Sequence, residues 1–125
     1  MNNRITLLLL LMVVTIATYA GQSMKVVKFS INPYDWTHQP PDLSAMSFNY
    51  YDSTITKDVF DNGTVMVYLL GTSGGGWWPL PYTFPSEVGP LVSYNYLPGH
   101  IEIRFYGARP NLTYYYKMVI ISEDK

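Results

Sequence analysis

The chain has 125 residues, a formal net charge of −1, no cysteine and 14% charged residues. That length allows one domain of ordinary size. The missing cysteines exclude disulfides, thiolate metal sites and a cysteine nucleophile. The near-neutral charge argues against nucleic acid, whose phosphates call for a Lys/Arg-rich face.

Met1-Asn2-Asn3-Arg4 is a short positive start. An apolar run from Ile5 to Ala17 follows, and Thr18-Tyr19-Ala20 ends on a small residue. This is the layout of a secretory signal peptide, expected over residues 1–20, with cleavage after Ala20 or after Ala17. The run is shorter than the ~20 residues of a membrane-crossing helix. An uncleaved N-terminal anchor is the alternative. Cleavage after Ala20 leaves a single domain, 21–125, with seven Lys or Arg and nine Asp or Glu, a net charge of −2. The expected location is extracytoplasmic: periplasm, cell surface or medium. A cysteine-free fold there is held by packing alone, for which 12 Tyr, 3 Trp and 5 Phe supply large apolar areas.

The mature chain reads as short strands between Gly, Pro, Asn and Asp punctuation. Lys25 to Ile31 alternates, with Val27, Phe29 and Ile31 on one face. Asn32-Pro33 stops it, and an extended stretch around Trp36 runs to Pro40-Pro41. Ala45 to Tyr51 sets Met46, Phe48 and Tyr50 against Ser47, Asn49 and Tyr51. Thr56 to Gly63 reads as one helical turn, with Thr56 as cap and Asn62-Gly63 as a left-handed exit; a hairpin turn at Asn62-Gly63 is the alternative. Thr64 to Leu70 is a Val-rich central strand. Trp77 to Phe84 holds Pro79 and Pro81, which confine it to an edge. Val92 to Tyr96 and His100 to Tyr106 alternate on either side of a Pro98-Gly99 turn, with Ile101, Ile103 and Phe105 inward. Tyr114 to Ile121 is the last strand. About eight short strands and one helical turn predict an all-β antiparallel sandwich. Its core is expected to rest on Trp36, Phe48, Val65, Val67, Ile101, Ile103, Phe105 and the last strand.

Candidate chemistry is sparse. His38 and His100 have no ligand-spaced partner and read as surface residues. Asp58, Asp61 and Asn62 are a candidate oxygen set for Ca²⁺, but their spacing also fits cap and turn chemistry. Glu87 and Glu102 are the only glutamates outside the tail, and nothing makes them converge as a glycosidase pair. Gly74-Gly75-Gly76 lacks the Lys of a phosphate loop. No enzyme and no cofactor is expected. Asn62-Gly63-Thr64 and Asn111-Leu112-Thr113 match the N-glycosylation pattern. Tyr114, Tyr115 and Tyr116 read as amphipathic strand packing or as a partner surface.

The aromatic residues Trp77, Trp78 and Tyr82 are the candidate ligand-binding set. If extended, adjacent Trp77 and Trp78 point to opposite sides, with Trp77 expected exposed and Trp78 in the core. The expected function is that of an exported, non-catalytic binding or structural module, partnered by a glycan or an envelope protein. The alternative is a carbohydrate-binding module using these rings.

Several stretches together carry a resemblance: Ile55 to Tyr68, Trp78 with Leu80-Pro81-Tyr82-Thr83-Phe84, Ser93-Tyr94-Asn95-Tyr96, Pro98 to Ile103, and Tyr116 to Ile121. The chain resembles a family of small secreted or surface-attached proteins of the Bacteroidetes group. The resemblance implies a β-sandwich and an extracytoplasmic location, and brings no active site. Asp52-Ser53-Thr54 likewise resembles the O-glycosylation acceptor of that group, with Ser53 as the modified residue.

Overall fold

The computed structural model describes residues 13–19, 21–38, 45–71, 75–84, 90–107 and 109–123. Among these residues ten strands form two antiparallel sheets. The first sheet contains β1 (Val13–Tyr19), β2 (Gln22–Ile31), β5 (Thr64–Leu70), β6 (Trp77–Pro79) and β10 (Tyr114–Glu123). Its spatial order is β1-β2-β10-β5-β6. The second sheet contains β3 (Thr37–His38), β4 (Ala45–Tyr51), β7 (Tyr82–Thr83), β8 (Leu91–Leu97) and β9 (His100–Tyr106), in the order β3-β4-β9-β8-β7. The expected sandwich is therefore present, with two strands more than the alternation indicated. Residues 77–84 divide between the two sheets, and Val13–Tyr19 adds a strand from within the expected signal segment. The β-branched residues of that segment suit a strand, and it pairs along its length with β2.

Alternation decides which side chains meet. Val27, Phe29 and Ile31 of β2, Val65, Val67 and Leu69 of β5, and Tyr116, Met118 and Ile120 of β10 face inward and are buried. They pack on Met46, Val92, Ile101, Ile103 and Phe105 of the second sheet. Trp36 is 1% exposed. It follows a 3-10 turn at Pro33–Asp35, held by Arg109, whose guanidinium donates to the carbonyls of Pro33 (2.8 Å) and Trp36 (3.1 Å). Of the expected core residues Trp36, Val65, Val67, Ile101, Ile103 and Phe105 are buried; Phe48 is partly exposed and packs against the core edge, and in the last strand Tyr116, Met118, Val119 and Ile120 are buried while Tyr115 is exposed.

The helical reading of residues 56–63 holds, and its exit needs correction. Helix α1 (Lys57–Asn62) is capped by the Thr56 hydroxyl, which accepts from the Val59 N–H at 3.1 Å. Gly63 ends it in extended backbone, φ −99°, not in the left-handed region. Glycine is required there for space: a Cβ would lie 2.4 Å from the Ile121 carbonyl oxygen. At Gly99 the expected turn is present, with φ +93° and Leu97 facing His100 across it. Among the described residues no helix is long and apolar enough to cross a membrane.

Candidate functional site

One side edge of the sandwich is built from aromatic residues. β6 pairs with β5 and β7 pairs with β8, so the chain passes from one sheet to the other between Pro79 and Tyr82. Leu80 anchors the crossing: it is buried, and its N–H donates to the Val67 carbonyl at 2.9 Å.

Trp77 and Trp78 point to opposite faces, as adjacent residues of a strand must. Trp78 lies opposite the buried Leu69, and Trp77 opposite Leu70. The expected assignment of Trp78 to the core is corrected: it is 45% exposed. It faces the interior side, but β6 is an edge strand, and the described residues leave the ring partly open. Its indole sits against Gly71 and Gly75, where a Cβ at Gly71 would fall 2.7 Å from Nε1. Of the Gly74-Gly75-Gly76 loop tip, Gly74 lies outside the described residues; Gly75 serves as part of this seat. Tyr82, half-buried, lies 5.6 Å from Trp78 between ring centres. Contacts then continue inward from Tyr82 to Phe84, Phe105 and Trp36, with centres 5.3, 6.1 and 5.6 Å apart. An exposed ring is thus coupled to the core by a chain of aromatic contacts.

Trp77 is half-buried on the outer face of the first sheet. There Lys117 Nζ lies 4.9 Å from its ring centre and Lys28 Nζ 5.8 Å. Lys117 is also 4.9 Å from the Tyr68 ring. Sequence reasoning did not single out these lysines. Each occupies an outward position in an alternating strand, but only the register, Lys28 beside Lys117 beside Tyr68, makes a group of them.

The remaining candidates separate. Asn62 Nδ2 donates to Asp58 at 2.9 Å, and Lys57 pairs with Asp61 at 2.6 Å. Both are contacts four residues apart along α1, and no group of three or more potential metal-ligating His, Asp or Glu side chains converges among the described residues. His100 packs on Tyr51, ring centres 5.3 Å apart. His38 is in β3, with its side chain outside the described residues. Glu102 accepts from Arg104 Nε at 2.7 Å, and Glu87 lies outside the described residues. Ser53 is exposed in the turn after β4. Tyr114, Tyr115 and Tyr116 are half-buried, exposed and buried in turn.

No family model, curated protein or solved structure matches the chain. The class defined by the fold alone is the antiparallel β-sandwich.

Proposed function

We propose that this protein is an exported, non-catalytic β-sandwich module of the cell envelope or the extracellular space, and that it acts by binding. The observation that carries the binding reading is the aromatic edge. A Trp that faces the interior side of a sandwich is ordinarily covered, whereas Trp78 is 45% exposed and seated against glycines. Export rests on the N-terminal layout of residues 1–20. The described side chains of β1 agree with it: Val14 and Ile16 are 45% and 70% exposed and add nothing to the buried core. Intact-mass measurement of protein recovered outside the cytoplasm tests export; a mass that includes residues 1–20 refutes cleavage.

A second reading, carbohydrate binding, is favoured by the neighbouring rings of Trp78 and Tyr82, since ring faces at an open edge stack on the CH groups of sugars. A glycan array with the parent chain and Trp78→Ala tests it. Array signals that are absent, or indifferent to the substitution, count against these rings as the site.

A further inference from the structure

We propose that the outer face of the first sheet binds an acidic glycan, a saccharide bearing carboxylate or sulfate groups, through Lys28, Lys117, Tyr68 and Trp77. The inference rests on the carbohydrate reading above, and adds to the Trp78–Tyr82 edge a second contact surface on the opposite face of β6.

The cost built into this face points to an anion. Lys28 and Lys117 are directly opposite each other in the β2–β10 ladder, and like charges at such positions are destabilising. Neither has an ion-pair partner among the described residues. The described carboxylate at an outward strand position of this sheet, Glu123, is six positions along β10 from Lys117, roughly 20 Å away at strand rise. That is well beyond the ~8 Å over which exposed charges act at physiological ionic strength. Among the described residues, the rings of Trp77 and Tyr68 are what the two ammonium groups lie against. Two bound acid groups would neutralise both, and one placed between them would relieve their repulsion.

The shape points to a sugar. Lys28, Lys117 and Tyr68 form one row across β2, β10 and β5, so successive side chains are about 4.8 Å apart. Trp77 reaches this row from β6, which places an aromatic surface beside the cations. The row adjoins a shallow depression of about 250 Å³ lined by Leu70, Gly71, Thr113, Tyr114 and Tyr115. Rings for CH stacking and paired ammonium groups for acid substituents are the two requirements of an acidic saccharide.

Affinity electrophoresis of the exported protein through gels containing polygalacturonate, heparin or neutral dextran tests this, with tryptophan fluorescence titration as the second readout. Retardation is expected with at least one acidic polymer and not with dextran, and it should weaken as salt rises. The double variant Lys28→Gln/Lys117→Gln and the variant Trp77→Ala should each bind at least tenfold more weakly, with unchanged circular dichroism. Tyr51→Ala, at an exposed residue of the second sheet, should bind as the parent does. Acidic-polymer binding that survives loss of both lysines overturns the proposal, as does the absence of binding to either polymer. Binding only to vesicles containing phosphatidylglycerol also overturns it, in favour of a membrane surface. Binding to neutral glycans that needs Trp78 and not the lysines overturns it too, while leaving the carbohydrate reading standing.

Discussion

Lys25 and Asp52 join the two sheets: Nζ of Lys25, on β2, lies 2.9 Å from the carboxylate of Asp52, the residue just after β4. The Asp52 side chain is 7% exposed, and it also accepts from the Thr54 N–H at 2.9 Å and from the Thr54 hydroxyl. A buried carboxylate without partners is costly; this one has three donors and holds the 52–55 turn against the first sheet.

The acid limb of stability should depend on that carboxylate. Burial by itself would raise the Asp52 pKa, but hydrogen bonds from Thr54 and Lys25 and the Lys25 charge outweigh it, and the net shift is downward. A lowered carboxylate contributes stability above its unfolded pKa, about 3.9, and loses it as pH falls through the folded value. Asp52→Asn should therefore lower stability at pH 7 by about 1–3 kcal/mol and flatten the fall below pH 4. Urea unfolding of both proteins from pH 2.5 to 7 measures the difference; parallel curves would refute the role.

Tyr116 should control part of the alkaline limb. Its ring stacks on Phe29, centres 5.7 Å apart, and its hydroxyl is buried with no hydrogen-bond partner among the described residues. Burial, aided by Tyr114, pushes its pKa far above the ordinary value. Stability from a neutral buried phenol is full below the unfolded pKa of about 10 and declines as pH rises from there. Tyr116→Phe keeps the ring and removes an unpaired hydroxyl. It should leave stability at pH 7 equal or raised by up to ~1 kcal/mol and reduce the loss above pH 10. Thermal midpoints at pH 7 and pH 11 check both effects.

Gly63→Ala should destabilise, although such a change ordinarily stabilises by about 0.4–1 kcal/mol where the backbone permits it. The backbone here is permissive, but the added Cβ would meet the Ile121 carbonyl at 2.4 Å and that of Val59 at 3.0 Å. Displacing β10 backbone costs about 1–3 kcal/mol, and each kcal/mol lowers Tm by about 4–8 °C in a domain of this size. Calorimetry of the variant decides the sign.

A chain of residues 21–125 should fold. The described side chains of β1 are exposed, and the buried core begins at Val27. Loss of β1 removes hydrogen bonds along one edge of β2. Circular dichroism and near-ultraviolet signals should persist, while amides of β2 facing the vacated edge exchange faster. Collapse of the near-ultraviolet signal would show that β1 is needed for packing.

Much of this architecture was legible in local patterns. The ranges Ala45–Tyr51 and His100–Tyr106 follow from alternation, Thr64–Leu70 follows from a short Val-rich apolar run, and the Thr56 cap follows from a hydroxyl placed three residues before Val59. The expectation for Trp78 failed because burial is not a property of alternation. Alternation assigns a residue to a face, but cover comes from whatever lies opposite, and β6 is at an edge. The left-handed exit at Gly63 failed similarly: glycine was needed there because β10, more than fifty residues later, passes too close for a side chain.

Sequence by itself determined the strand faces, the helical turn, the Pro98-Gly99 hairpin and the absence of any disulfide. These depend on neighbours within a few residues, where backbone geometry and side-chain period act directly. Only the tertiary structure decided which strands became partners. That choice sets Lys28 beside Lys117, lays Trp77 near both, and binds Lys25 to Asp52. Register is fixed by the fit of the buried faces across long loops, so the charges it brings together on the outer face are a consequence no local pattern contains.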